Sequence, residues 1–304
     1  MTKFKLTILG CYAATPRTIS NPSAQLLDIN NQYYLIDCGE GTQVQLRKLK
    51  FKINRIDHVF ISHLHGDHVF GLIGLISTFS LLNRPNKLTV FGPKGIKLFI
   101  ETQLELSQSH LNYPLEIIEL SAKSPEIILD NAQVTVKTIP LKHRIYCNGF
   151  QFTEKINLKK LNIEAIEKYG IESCYYYKIK QGGDITLENG QLVKNDKLTF
   201  PSEPAKSYAY CSDNMYHEKF ISYIKGVDVL YHESTFLESE VALAKKTMHT
   251  TAIQAGKIAK AAAVKKLILG HYSTRYKSIE AFREEAQTQF EAVDLADDGK
   301  SFSW

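Results

Sequence analysis

His63-Leu64-His65-Gly66-Asp67-His68 places three imidazoles and a carboxylate within six residues. Val59-Phe60-Ile61 runs straight into this stretch and reads as the end of a buried strand over residues 56–61. A solvated histidine-rich tract would not normally follow so apolar a strand. Neutral imidazole and carboxylate are good ligands for a divalent ion such as zinc, and four of them at one strand end make a metal-binding motif.

Further metal-ligating candidates stand at other strand ends. Asp37 closes a strand at 33–36, His143 follows one at 134–139, Asp213 one at 208–211, and His271 one at 267–269. A sheet gathers its strand ends into one rim, so these side chains converge on a single site if the strands share a direction. Strands also read at 4–8, 24–29, 88–91, 115–120 and 227–231, with Asn30-Asn31 as a hairpin turn. Helices read at 70–82, 95–106, 251–264 and 279–290. Strands alternate with helices in two similar halves, an α/β chain of two sheets with helices outside.

Residues 148–207 break the alternation. They carry Lys155, Lys159, Lys160, Lys168, Lys178 and Lys180, and the run Tyr175-Tyr176-Tyr177. Turn signals fall at Gly182-Gly183 and Asn189-Gly190, and Pro201 and Pro204 close the stretch. It reads as an arm inserted between core elements, since loops this long inside compact domains are usually functional or disordered. Lys159 and Lys160 are placed on an amphipathic helix, and the three tyrosines are expected to pack the arm.

The bulk numbers are those of a globular protein. Of 304 residues, 44% are hydrophobic and 23% charged, which supports a core and argues against wholesale disorder. The net charge of +5 permits a polyanionic partner without requiring one. No apolar run reaches the roughly 18 residues of a membrane span, and the alternating first residues look like a strand and not a signal peptide. The five cysteines are odd in number, widely spaced and without a C-x-x-C pair, as expected of buried thiols in a reducing compartment. The expected location is the cytoplasm.

The motif, with Asp37 before it and His143, Asp213 and His271 after it, resembles the metallo-β-lactamase superfamily, in order and over nearly the whole chain. The resemblance implies a four-layer αβ/βα sandwich with metals at one edge: a single domain over 1–304 with an inserted arm at about 150–205. Within that superfamily, further segments point to the ribonuclease Z family. The 10–23 loop with Thr15-Pro16 and Asn21-Pro22-Ser23, His232-Glu233-Ser234-Thr235-Phe236, Met248-His249-Thr250-Thr251 and His271-Tyr272-Ser273-Thr274-Arg275-Tyr276 resemble that family's segments. The family's Gly-Pro turn in the arm is missing, and Gly170-Ile171 stands there.

The resemblance implies two zinc ions per subunit. His63, His65 and His143 would hold one, Asp67, His68 and His271 the other, with Asp213 bridging and Asp37 hydrogen-bonded behind a ligand imidazole. It implies Asp67 as base or water-orienting group, and His249, oriented by Glu233, as acid for the leaving oxygen. Substrate contacts are expected from Arg17, Ser23, Lys159, Lys160 and Arg275. The implied substrate is precursor tRNA, cut to remove the 3′ trailer, and the implied assembly a homodimer without membrane contact. The alternative is another binuclear zinc phosphodiesterase or arylsulfatase-like hydrolase on the same scaffold.

Overall fold

The computed structural model describes residues 4–18, 20–155, 158–201 and 204–304. Residues 1–3 of the opening segment, Ile19 of the 10–23 loop, and residues 156–157 and 202–203 at the two roots of the insertion lie outside the described residues.

Two seven-stranded sheets face each other. The first runs in the order Ser301–Ser303, Phe4–Gly10, Ala24–Ile29, Gln32–Ile36, Ile56–Phe60, Leu88–Pro93, Leu115–Leu120. Its pairings are antiparallel as far as Gln32–Ile36 and parallel beyond it. The second runs Val293–Leu295, Lys266–Gly270, Val229–Glu233, Ser207–Cys211, Asn148–Glu154, Val134–Pro140, Ile127–Asp130, parallel first and then antiparallel. Asn30 and Asn31 make the hairpin turn with φ of 52° and 69°, the left-handed geometry that a two-residue hairpin demands and Asn tolerates.

Side-chain alternation explains the layers. Phe4, Leu6, Ile8, Leu27, Tyr34 and Ile36 face the second sheet, whereas Leu26, Leu35 and Val59 face helices that carry Leu72, Leu75, Phe79 and Ile100. Between the sheets Phe60 stacks on Phe91 at 5.0 Å and meets Phe150 at 5.4 Å and Phe152 at 5.3 Å from the opposite sheet. Phe60→Ala empties this seam, and we expect a loss of about 3–5 kcal/mol in denaturant unfolding. A loss under about 1 kcal/mol would mean that the sheets close over the gap.

Two expectations shift. The helix read at 70–82 is present as Leu72–Leu81, two residues shorter at its start, and a separate helical turn, Gly66–Val69, precedes it. The break lets His68 O accept from Cys38 N (2.8 Å) and Gly71 N donate to Cys38 O (2.9 Å), clamping the motif to the loop after Asp37. A Cβ on Gly71 would lie 2.1 Å from Gly39 O, so only glycine allows this approach. The arm also begins later than 148–150, because Asn148–Glu154 is a full strand of the second sheet.

Within the arm, Lys160–Leu161 pairs with Thr199–Phe200 and Ile185–Thr186 with Leu192–Val193, around Ile166, Ile171, Ile179 and Leu198. Lys159 and Lys160 are therefore not on a helix. Lys159 Nζ donates to Asn195 Oδ1 at 2.8 Å, inside the arm, and Lys160 is exposed on the short strand. The tyrosine expectation holds for Tyr176, which packs on the arm core, and fails for Tyr175 and Tyr177, which are exposed. The short helix Tyr176–Lys180 buries the face of Tyr176 and Ile179, three residues apart, and turns Tyr177 outward.

Candidate metal centre and cleft

The rim where the parallel strands of both sheets end carries the candidate ligands. Asp37, Asp213 and His271, each just past a strand, have φ of 54°, 39° and 59°. Such left-handed backbone costs about 1–3 kcal/mol at a non-glycine residue and clusters at functional sites. Here it swings each side chain inward from the rim.

The donor atoms form two sets that share Asp213. Asp213 Oδ2 lies 3.6 Å from both His63 Nε2 and His143 Nε2; His65 Nδ1 lies 2.9 Å from the first and 3.3 Å from the second. Asp213 Oδ1 lies 3.2 Å from His68 Nε2 and 3.1 Å from His271 Nε2; Asp67 Oδ2 lies 3.5 and 3.6 Å from the same two nitrogens. A tetrahedral site with bonds of 2.0–2.1 Å has donor–donor edges of roughly 3.3–3.4 Å, so both sets are of metal-binding size. His68 Nε2 and His271 Nε2 are buried with no hydrogen-bond partner, and an ion would satisfy both.

The remaining ring nitrogens are anchored. His68 Nδ1 is 2.7 Å from Asp37 Oδ2, His271 Nδ1 2.9 Å from Thr235 Oγ1, His63 Nδ1 3.0 Å from Ser62 Oγ, and His143 Nδ1 3.2 Å from Met248 O. With Nδ1 donating, Nε2 keeps its lone pair for the ion. Asp37 also accepts from Ser62 N (2.7 Å), Ser62 Oγ (2.8 Å) and Tyr210 Oη (2.6 Å), which locks its orientation. Met248 has φ of 61°, the end of the helix Val241–Thr247.

The electrostatics agree. Burial holds His63, His65 and His143 below the usual histidine value, hence neutral and able to ligate. Burial opposes charge on Asp213 and Asp67 too, but the surrounding imidazoles, His271 and His68 foremost, keep both carboxyls well below the ordinary range. Around His68 burial is outweighed by Asp67, Asp213 and Asp37, which favour positive charge at that point. A bound cation supplies it and displaces the proton.

Beside the centre, His249 Nδ1 donates to Glu233 Oε1 at 2.9 Å. Glu233 is fully buried at a strand end and also accepts from Asn214 N (2.7 Å), Thr235 N (3.2 Å), Thr235 Oγ1 (2.6 Å) and Thr250 N (3.1 Å). Burial disfavours the imidazolium, but the Glu233 carboxylate overrides it and raises His249 to about 9; His249 in turn overcomes burial to bring Glu233 down to about 2. Thr251, with Gln254, forms a capping box on the helix Ala252–Ala261 and so fixes the segment that carries His249.

These groups open on a cleft of about 470 Å³, lined by the 10–23 loop, Glu40, the motif, Phe70, Arg144, Asp213, His249 and His271. Two carboxylates help to tie the loop down. Ala14 N donates to Asp67 Oδ2 at 2.9 Å, and Asn21 N and Nδ2 donate to Asp298 Oδ2 at 2.8 and 2.7 Å. Burial pushes Asp298 from 3.8 up to about 6, against the Asn21 donors. A raised carboxyl favours the neutral form in the folded state. Its contribution to stability is therefore present below about pH 4 and lost as pH rises through about 6. Asp298→Asn cannot ionise, so its stability relative to the parent should increase between about pH 4.5 and about pH 7.5 in urea titrations. A pH-independent difference would show that Asp298 titrates normally.

The structure thus brings together His63, His65, Asp67, His68, His143, Asp213, His271, Asp37, His249 and Glu233. The five expected substrate contacts do not line this cleft. Ser23 is buried, Lys159 and Lys160 lie in the arm, and Arg17 pairs by backbone with Ser20. Arg275 is engaged by Glu240 at 3.6 Å and by the Phe236 ring at 5.2 Å. Arg144, one residue past His143, is a cation that lines the cleft. Its adjacency to a ligand was a usable signal. Thr235, Ser62 and Tyr210 carried none stronger than their position next to motif residues.

Residues 4–159 match the family model described as Anti-Pycsar protein Apyc1, a range that includes six of the seven strands of the first sheet and the six-residue motif. Ribonuclease Z of Cytophaga hutchinsonii is 47% identical over 302 residues, 98% of this chain and 96% of its own length. Ribonuclease Z of Porphyromonas gingivalis is 44% identical over 98% of each chain. The chain belongs to the ribonuclease Z family. The crystal structure of the short form of human tRNase Z superposes with a TM-score of 0.71 at 27% identity, over 98% of each chain. YhfI of Bacillus subtilis, at 20% identity and a TM-score of 0.70, shares the metallo-β-lactamase fold. As a ribonuclease Z the chain is a hydrolytic endoribonuclease, and its His/Asp cluster suits a metal. Among the described residues no helix is long and apolar enough to cross a membrane.

Proposed function

We propose that this ribonuclease Z removes the 3′ trailer from precursor tRNA with two zinc ions, leaving a 3′-hydroxyl on the tRNA and a 5′-phosphate on the trailer. The observation that carries the reading is the His249–Glu233 pair on the wall of a cleft floored by two ligand sets. A phosphodiester needs charge neutralisation and a proton for its leaving oxygen, and both stand side by side here.

His63, His65, His143 and Asp213 would hold one ion; Asp67, His68, His271 and Asp213 the other. Such a pair supplies a nucleophile from water at neutral pH and screens the phosphate charge. The chain's own residues do the rest. Asp67 turns Oδ2 toward His68, His271 and the Ala14 amide, and its other oxygen orients the attacking water. His249, held protonated and aimed by Glu233, gives its proton to the leaving 3′ oxygen. Arg144 meets the phosphate from the wall. The enzyme works in the cytoplasm as a homodimer, with the arm gripping the body of the tRNA.

The test is cleavage of a 3′-extended precursor tRNA by zinc-loaded protein, with products mapped to the nucleotide. One cut at the end of the tRNA, absent in His65→Ala, is the expected result. Turnover of a small phosphodiester without any RNA cut would favour another binuclear zinc phosphodiesterase or arylsulfatase-like hydrolase instead.

A further inference from the structure

Phe70 is 62% exposed, although it follows directly on the buried Val69 and belongs to the cleft. A phenyl ring in water forgoes the stabilisation that burial would bring. This one is nevertheless held in place. Its ring lies over the Cα of Gly66, where a Cβ would come within 2.3 Å of Phe70 Cε2. Phe99 stands beside it, nearly parallel, at 6.4 Å and 10°. Backbone beneath and an aromatic neighbour alongside leave a supported, solvent-facing ring on the cleft wall.

The cleft is lined from two parts of the chain. The 10–23 loop, Gly66 and Phe70 belong to the part that builds the first sheet; Arg144, His249 and His271 belong to the part that builds the second. In the trailer-removal reading, on which this inference rests, His249 serves the oxygen that stays on the tRNA. The last tRNA nucleotide therefore lies on the His249 side of the scissile bond. The phosphate remains with the trailer, whose first nucleotide leaves on the side away from His249. We propose that Phe70 is the platform on which the base of the first trailer nucleotide stacks. Every base has a π face, so such a platform holds the trailer in line without demanding a sequence.

The test uses zinc-loaded protein and 3′-extended precursor tRNA carrying either a normal base or an abasic residue at the first trailer position. Phe70→Ala should lower kcat/KM on the normal substrate by roughly 5- to 150-fold, the range of one lost base–aromatic stack. Phe70→Tyr should restore it. The abasic substrate should cost the unmodified enzyme a similar factor, and Phe70→Ala should add nothing on that substrate, because both changes remove one contact. The abasic arm alters no residue, so it remains decisive if Phe70→Ala folds poorly. Unchanged cleavage of the abasic substrate, or penalties that multiply independently, overturns the stack. An uncoupled loss that coincides with a changed oligomeric state would make Phe70 an interface residue and likewise overturn it. No RNA cut by the unmodified enzyme, with bis(p-nitrophenyl) phosphate still turned over, would instead remove the trailer reading and this proposal with it.

Discussion

His249→Ala is expected to slow precursor cleavage by about 10²- to 10⁴-fold, the range for losing a general acid, with bound metal unchanged. The separation of rate from metal content is the point of the experiment. His249 spends Nδ1 on Glu233 Oε1, which leaves its other nitrogen for the cleft. It also lies in a group with Asp213 and His271 that is compact enough to hold an ion. Elemental analysis beside single-turnover rates decides between the two roles. A fall in metal content parallel to the rate would make His249 a ligand and sink its part as proton donor. Glu233→Gln should show the same kinetic loss with a stability cost added. The carboxylate accepts from Asn214 N, His249, Thr250 N and both donors of Thr235, and an amide group cannot accept from them all. Each buried donor left unpaired costs about 1–3 kcal/mol.

Asp213→Asn should lose both metal sites at once and bring cleavage to background. Asp213 is the residue common to the two donor sets, one oxygen toward His63 and His143 and the other toward His68 and His271. An amide cannot supply two anionic oxygens, and its nitrogen would turn a donor toward an ion. The fold should persist, because the side chain keeps its size. Metal content by elemental analysis and the unfolding midpoint without metal are the two readouts. Retention of one ion per chain would show that the sets are independent and that Asp213 does not bridge.

Asp37→Ala provides a graded comparison. It removes the partner of His68 Nδ1, Ser62 and Tyr210 without removing a ligand, and it should weaken metal affinity by roughly 10- to 100-fold. Competition with a chelator measures this. An affinity equal to that of the parent would leave Asp37 as a turn residue only.

The six-residue motif was legible because its chemistry is local: four donors follow one buried strand, and spacing alone brings them together. Asp37, His143, Asp213 and His271 were legible as strand-end residues, since strands that share a direction, next to one another or two apart in a sheet, end at the same rim. The amino-acid order by itself therefore pointed to the layered α/β architecture, the hairpin at Asn30-Asn31 and the residues of the candidate metal centre, and the family resemblance added the His249–Glu233 pairing. It did not determine which cations face the reaction. In one dimension Arg17, Arg275, Lys159 and Lys160 stood out and Arg144 was passed over, although it adjoins His143. Only folding showed Arg275 held by Glu240 and Phe236, Lys159 turned onto Asn195, and Arg144 on the cleft wall. Long side chains have many rotamers, and the partner that selects one is often distant in sequence. The same reason separates Asp37 from Tyr210, which meets it across 173 residues. The break after Val69 is also tertiary. The apolar run 69–82 favours one continuous helix, and the clamp between Cys38, His68 and Gly71 outweighs that local preference, because the motif must be pinned to the loop that bears Asp37.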